Sequence, residues 1–235
     1  MNFTTILFDL DGTLLPMDQD VFVKAYFSKL AKKLAPLGYE PQQLTEAIWG
    51  GTGAMVKNNG SRLNEDAFWK FFTEVYGEKA IQDKPVFEEF YRTEFQKASS
   101  SCGFTPESKK LIEDLKQTGY RIVLATNPIF PAIATESRIR WAGLEPSDFE
   151  LYTTYENSRY CKPNLDYYRE IVQKLGCAPE DCLMVGNDVG EDMVAETLGM
   201  RVFLLTNCLI NKTDKDISAY PQGNLEDLMA YIESL

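Results

Sequence analysis

Short apolar runs separated by helix-spaced stretches fill the second half of the chain. Ile122-Val123-Leu124-Ala125 and Leu183-Met184-Val185 are uninterrupted, as expected of strands buried on both faces. Thr105-Pro106 starts a predicted helix carrying Leu111, Ile112 and Leu115, which Gly119 closes. The order that follows is a strand over 121–126, a helix over 131–142, a strand over 149–154 and a helix over 164–175. A strand over 182–186, a helix over 190–198 and a strand over 201–206 come next. Leu225, Leu228 and Ile232 predict a last helix over 224–234, and polar 207–223, with its late Pro-Gln-Gly, reads as a surface loop. Ile6-Leu7-Phe8 predicts one more buried strand at the start. Such alternation predicts an α/β fold, a three-layer doubly wound parallel sheet with helices on both faces.

Residues 16–104 have a different texture. Val21, Phe22, Tyr26, Leu30 and Leu34 form one helical stripe, with Gly38 as the stop, and Pro41 opens a segment carrying Leu44 and Ile48. Asn64 is placed to cap a helix bearing Phe68, Phe71, Phe72 and Val75, ended by Gly77. Pro85 starts another with Phe87, Phe90, Tyr91 and Phe95. The expected organisation is an α/β core, residues 1–15 and 105–235, interrupted by a small helical bundle, residues 16–104. Hinges are expected near Leu15-Pro16 and Gly103-Phe104. The Trp49–Lys57 stretch, with its three glycines, reads as a ligand-approaching loop in which Lys57 or Arg62 meets a second anionic group; a flexible helix junction is the competing reading.

Candidate chemistry gathers where the strands end. Asp9 and Asp11 follow the first strand, and the chain must turn sharply after Asp9 for both carboxylates to serve one site. Gly12 supplies the freedom for that turn. The pair suits a metal-assisted nucleophile beside a general acid/base, although Asp-Gly is also ordinary turn chemistry. Thr126 and Asn127 end the next strand with a hydroxyl and an amide suited to phosphate oxygens. Lys162 follows the 149–155 segment and would neutralise a bound anion. Asp188 and Asp192, with Gly190 between them, suit a hard cation such as Mg²⁺. Each of the last three has a bland reading as a cap, a solvated lysine or a helix start. Their order, each at a strand end, is what carries the functional one.

The set resembles the haloacid dehalogenase superfamily, whose members mostly transfer phosphoryl groups. Asp9-Leu-Asp-Gly-Thr13, Thr126, Lys162 and Gly186-Asn-Asp through Asp192 match its four motifs. The family's last motif usually reads Gly-Asp, whereas Asn187 intervenes here before Asp188. The resemblance implies a helical cap inserted after the first motif. It implies Asp9 as nucleophile, Asp11 as general acid/base, and Thr126, Asn127 and Lys162 on the phosphate oxygens. It places Mg²⁺ on Asp9, the Asp11 carbonyl and Asp188, with Asp192 supporting the metal's water shell or orienting Lys162. Asn187 is expected beside the metal shell or bound to one of its waters. Dehalogenase relatives lack the second aspartate, phosphonate-cleaving ones place a small residue there, and mutases often carry a histidine soon afterwards. The expectation is therefore a phosphatase acting on a small phosphorylated metabolite. A phosphotransferase or sugar-phosphate mutase of the same fold, or a non-catalytic phosphate-ester-binding protein, are the alternatives.

Composition narrows the field further. The 235 residues are 44% hydrophobic and 12% aromatic, enough for a packed core. A net charge of −11 excludes nucleic-acid binding through a basic surface. The chain has no histidine, which removes every mechanism built on a histidine base and leaves acid/base work to carboxylates. Cys102, Cys161, Cys177, Cys182 and Cys208 form no Cys-x-x-Cys pair, so reduced thiols in a cytoplasmic protein are expected. Cys161 is read as structural, although a cation at Lys162 would lower its pKa. No apolar run is long enough to span a membrane, and a monomer or dimer is expected. No Gly-x-Gly-x-x-Gly follows the first strand, against a nucleotide-binding oxidoreductase, and the insertion in that strand's crossover disfavours a receiver-type signalling domain.

Overall fold

The computed structural model describes residues 3–235; residues 1 and 2 of the expected core lie outside them. β1 (Thr5–Phe8) is central, paired in parallel with β2 (Arg121–Leu124) and β4 (Cys182–Gly186). β3 (Leu151–Tyr152), β5 (Arg201–Leu205) and β6 (Gln222–Gly223) complete a six-stranded parallel sheet of order β3-β2-β1-β4-β5-β6. The order reverses at β1, which places the ligand crevice of such a sheet at the carboxyl ends of β1, β2 and β4. Side chains alternate through β1: Ile6 and Phe8 enter one apolar cluster and Leu7 the other. Both faces of the strand are therefore buried, as its unbroken apolar run requires.

The helices that flank the sheet are α6 (Pro106–Gln117), α7 (Ala132–Trp141), α8 (Leu165–Leu175) and α9 (Leu225–Glu233). Two expectations need correction. The helix predicted over 190–198 is a short 3₁₀ helix, Met193–Leu198, because the preceding residues are spent on turns around Asp188. The 207–223 loop ends in β6, whose two residues pair with Leu204 and Leu205 through the backbone alone, without an apolar run to announce it.

Before α6 the chain forms α1 (Gln19–Leu34), α2 (Pro41–Val56), α3 (Asn64–Tyr76), α4 (Lys79–Gln82), α5 (Lys84–Arg92) and a 3₁₀ helix, Glu94–Ser101. Phe22, Tyr26, Leu30 and Leu34 are buried as the stripe predicts, but Val21 is half-exposed. The expected Trp49–Lys57 loop is instead the second half of α2 and its C-cap. A Cβ on Gly50 would collide with the Phe71 ring and one on Gly51 with the Phe68 ring. These glycines let α2 and α3 touch; they do not open a path to a ligand. Asn64 does not cap α3 with its side chain, Leu63 being the N-cap. Its carboxamide is buried and donates toward the Pro128 and Tyr160 carbonyls, each at 3.3 Å, and toward Cys161 Sγ. The amides of Asn64 and Glu65 donate to the Ser158 and Tyr155 carbonyls at 2.9 Å, so the start of α3 is fastened to loops of the sheet. Where the helical segment leaves and rejoins the sheet, Met17 bridges Cys102 and Gly103 N donates to Pro16 O at 2.7 Å.

Candidate active site

The hydrogen-bond ladder of β1 runs on for one residue past its apolar run. Ala125 N donates to Phe8 O at 2.7 Å and Asp9 N to Val185 O at 2.9 Å, so Asp9 leaves the sheet level with the ends of β2 and β4. The chain then folds back on itself, with Leu15 N and Thr13 N both donating to Leu10 O. Gly12 sits at φ +87°, and a Cβ there would strike the Asn187 carboxamide; only glycine fits this turn. Asn187 is occupied by protein at both ends: Nδ2 donates to Cys208 O at 2.7 Å, and Oδ1 accepts from Thr13 Oγ1 at 3.1 Å. It stitches the Asp9–Asp11 turn to the loop after β5.

Lys162 is the centre of the site. Its side chain is 1% exposed, and Nζ donates to Asp9 Oδ1 at 2.9 Å and Asp192 Oδ1 at 2.6 Å. Asp192 Oδ2 accepts from Asp188 N at 3.0 Å, so both of its oxygens are engaged. Asp188 Oδ1 accepts from the amides of Gly190 and Glu191 at 2.8 and 3.0 Å, which leaves its second oxygen to other partners. Burial works against the charge of Lys162, but Asp192 and Asp9 outweigh it and hold the lysine protonated well above its ordinary range. Burial pushes Asp192 up to about 7 against the pull of that ammonium. Burial also raises Asp11 above the usual carboxyl range, with Arg138 opposing and the charge of Asp9 adding to it.

Thr126 is buried one residue beyond the β2 ladder, and its carbonyl accepts from Thr153 Oγ1 at 2.6 Å and Tyr167 OH at 2.9 Å. Asn127 donates to Glu191 Oε2 at 3.0 Å. Lys57 is not brought to these residues; it lies exposed with Asn59, Arg62 and Lys70 along a groove between α2 and α3. Cys161 Sγ is buried, and burial, with Glu191 adding to it, pushes its thiol up to about 12, the reverse of an activated cysteine. The five cysteines are free, with the sulfurs of Cys177 and Cys182 3.7 Å apart.

Sequence reasoning missed Arg138, which is 1% exposed and donates through Nη1 to Asp11 Oδ2. A signal was present: Arg138 lies four residues after Ala134 and four before Ala142, on the inward stripe of α7, where a charge needs a partner. Thr153 and Tyr167, which hold the Thr126 carbonyl, and Tyr168, whose hydroxyl donates to Glu191 O at 2.7 Å, were missed as well. They act through backbone and side-chain contacts that no local spacing announces.

Among the described residues, no three acidic, cysteine or histidine side chains are placed to hold a metal by themselves. Asp188 keeps one oxygen without a hydrogen bond among these residues, and carboxylate and carbonyl oxygens such as those of Asp188, Asp9 and Asp11 are the donor type that suits Mg²⁺. No helix of the described residues is long and apolar enough to cross a membrane.

A doubly wound parallel sheet with paired carboxylates at its strand-order reversal, bridged by a buried lysine, is an α/β enzyme framework. A sequence profile described as haloacid dehalogenase-like hydrolase matches residues 3–195, and the chain belongs to that family. It is 23% identical over 227 residues to glyceraldehyde 3-phosphate phosphatase of Methanothermobacter thermautotrophicus, covering 90% of this chain and 88% of the relative. It is 24% identical over 199 residues to phosphoglycolate phosphatase of Aquifex aeolicus, covering 85% and 83%. The crystal structure of a 2-haloacid dehalogenase from Pseudomonas syringae pv. Tomato superposes with a TM-score of 0.64 at 18% identity, over 99% of each chain. That likeness is one of fold. The expectations of a hydrolase of this family and of its α/β architecture are met.

Proposed function

We propose that this hydrolase cleaves a small phosphate monoester in a Mg²⁺-dependent reaction that passes through an aspartyl-phosphate on Asp9. The observation that carries the reading is Lys162, a buried ammonium fixed between Asp9 and Asp192 at the ends of β1 and β4. It neutralises the nucleophile's surroundings and meets the incoming phosphate with positive charge. An oxygen of Asp9 bonds to phosphorus as the ester oxygen leaves, and Asp11 gives that oxygen a proton. Asp11 then takes a proton from water, whose oxygen displaces Asp9 and releases phosphate. Burial favours the protonated form of Asp11 that the first step needs. The second aspartate separates this reading from dehalogenation, which has no leaving oxygen to protonate.

Thr126 and Lys162 would bind the non-bridging oxygens, with Asn127 at the rim. Bound at Asp9, the Asp11 carbonyl and Asp188, Mg²⁺ would screen the repulsion between carboxylate and phosphate. Asp192 orients Lys162, its Oδ1 accepting from the ammonium at 2.6 Å while its Oδ2 is held by the Asp188 amide. The division of labour assigns residues 1–15 and 105–235 to the catalytic core and 16–104 to a cap that shapes specificity. The names of the two curated relatives support short phosphorylated carbon compounds as the substrate class; the reading sets the reaction in the cytoplasm.

The test is phosphate release from para-nitrophenyl phosphate with and without Mg²⁺, comparing the native chain with Asp9→Asn. Release that needs Mg²⁺ and vanishes in the variant supports the reading. A folded, inactive native chain, or activity that survives the substitution, overturns it.

A further inference from the structure

Resting on the phosphatase reading, we infer that Arg138 is a positioning residue that aims one oxygen of Asp11 at the leaving group. A guanidinium almost wholly out of water is expensive unless its donors are met. Here the fork is fixed on several sides. Nη2 donates to Thr135 Oγ1 at 3.3 Å, Nε to Ala134 O at 3.4 Å, and the Phe130 ring lies 4.5 Å from Cζ. Nη1 is left for Asp11 Oδ2. The neighbouring Ser137 accepts from Gln96 Nε2 at 2.8 Å, which ties this turn of α7 to the 3₁₀ helix Glu94–Ser101.

The other oxygen of Asp11, Oδ1, is buried and has no hydrogen-bond partner. Such an atom, one bond from an oxygen held by a buried arginine, calls for an explanation. With Oδ2 committed to a donor that cannot give up its proton to it, the carboxyl proton rides on Oδ1. As the Asp9 oxygen–phosphorus bond forms and the ester bond breaks, that proton passes to the departing oxygen. The alcohol leaves neutral, and Asp11 is left ionised against Arg138. The buried arginine thus selects which oxygen carries the proton and stabilises the carboxylate once the proton has gone. Without it the carboxyl would turn freely about its last torsion, and the transfer geometry would be lost.

Steady-state kinetics of Arg138→Met, Arg138→Lys and Asp11→Asn on para-nitrophenyl and phenyl phosphate test the inference. The two esters have nearly the same shape, but phenolate is the poorer leaving group and depends more on protonation. Arg138→Met is expected to lower kcat on phenyl phosphate about tenfold more than on para-nitrophenyl phosphate, with KM little changed. Asp11→Asn should show the same skew, and adding Arg138→Met to it should not deepen the skew. Arg138→Lys, which keeps the charge and guards against a folding failure of the methionine variant, should fall in between. An equal loss on both esters would make Arg138 merely structural and overturns the inference. So does a change confined to KM, or an undiminished effect in the double variant. A native chain inactive on both esters would instead sink the phosphatase reading, and the inference with it.

Discussion

The carboxyl edge of the sheet and the interior of the helical segment are both densely packed, yet they are held together by opposite means. At the sheet edge, Lys162 and Arg138 are charged and buried, the first paired with Asp9 and Asp192 and the second with Asp11. In the helical segment the interior is rings: Phe72 packs against Phe68, Trp69, Tyr76 and Phe87 with centroids 4.9–5.7 Å apart. The ion pairs Lys70–Glu74 and Arg92–Glu88 on its surface stay exposed. The helical segment draws its stability from apolar area, away from the Lys162 cluster. The sheet edge holds like charges together, because phosphate chemistry needs them there. Stability and function are thus separated along the chain, and substitutions should separate them too.

The sharpest division is expected from Asp9→Asn. Hydrolysis should fall about a thousandfold or more, as when a nucleophile is lost, while the thermal midpoint holds or rises because a crowded negative charge is gone. A large fall in the midpoint would break the comparison. Lys162→Met removes the ammonium from two buried carboxylates and should cost about 3–5 kcal/mol of stability together with activity. Phe72→Ala should cost a similar amount, about 3–5 kcal/mol, while turnover per folded molecule stays the same; denaturant titration beside active-site counting checks the pair. Asn64→Ala removes one of the two bonds of Asn58 Nδ2 and the donor that faces the Pro128 and Tyr160 carbonyls and Cys161 Sγ, for about 1–3 kcal/mol. Because Pro128 and Tyr160 lie next to Asn127 and near Lys162, proposed to bind phosphate, activity should fall with it. Glu74→Gln, on the exposed Lys70 pair, should change neither measurement.

A pH profile sharpens the same contrast. Asp11 is raised by burial, so its proton persists above the ordinary carboxyl range and is lost as pH climbs through the raised value. With phenyl phosphate, kcat should therefore decline on the alkaline side, and Asp11→Asn should abolish that limb. An unchanged limb in the variant would assign it to another group.

Local order was legible wherever a residue's role depends on its neighbours in sequence. The apolar run before Asp9, the turn at Gly12 and the acids after β4 were readable because strand ends, turns and helix starts are short-range events. The same holds for Phe22, Tyr26, Leu30 and Leu34, whose burial follows from helical spacing. Trp49–Lys57 was misread because three glycines look like a loop until the Phe71 and Phe68 rings that need the space of two of them, Gly50 and Gly51, are in view. Asn64 looked like a cap because its real acceptors lie about a hundred residues away.

The sequence by itself determined the alternation of strands and helices, the interruption after the first strand and the order of the candidate catalytic side chains. Periodicity and turn chemistry act over a few residues and are written in each segment. Only the tertiary structure decided that Lys162 is shared by Asp9 and Asp192, that Arg138 holds Asp11, and that Asn187 braces the turn at Gly12. A buried charge takes whatever partner the folded chain brings within 3 Å or so, and that partner is set by the crossing of distant strands.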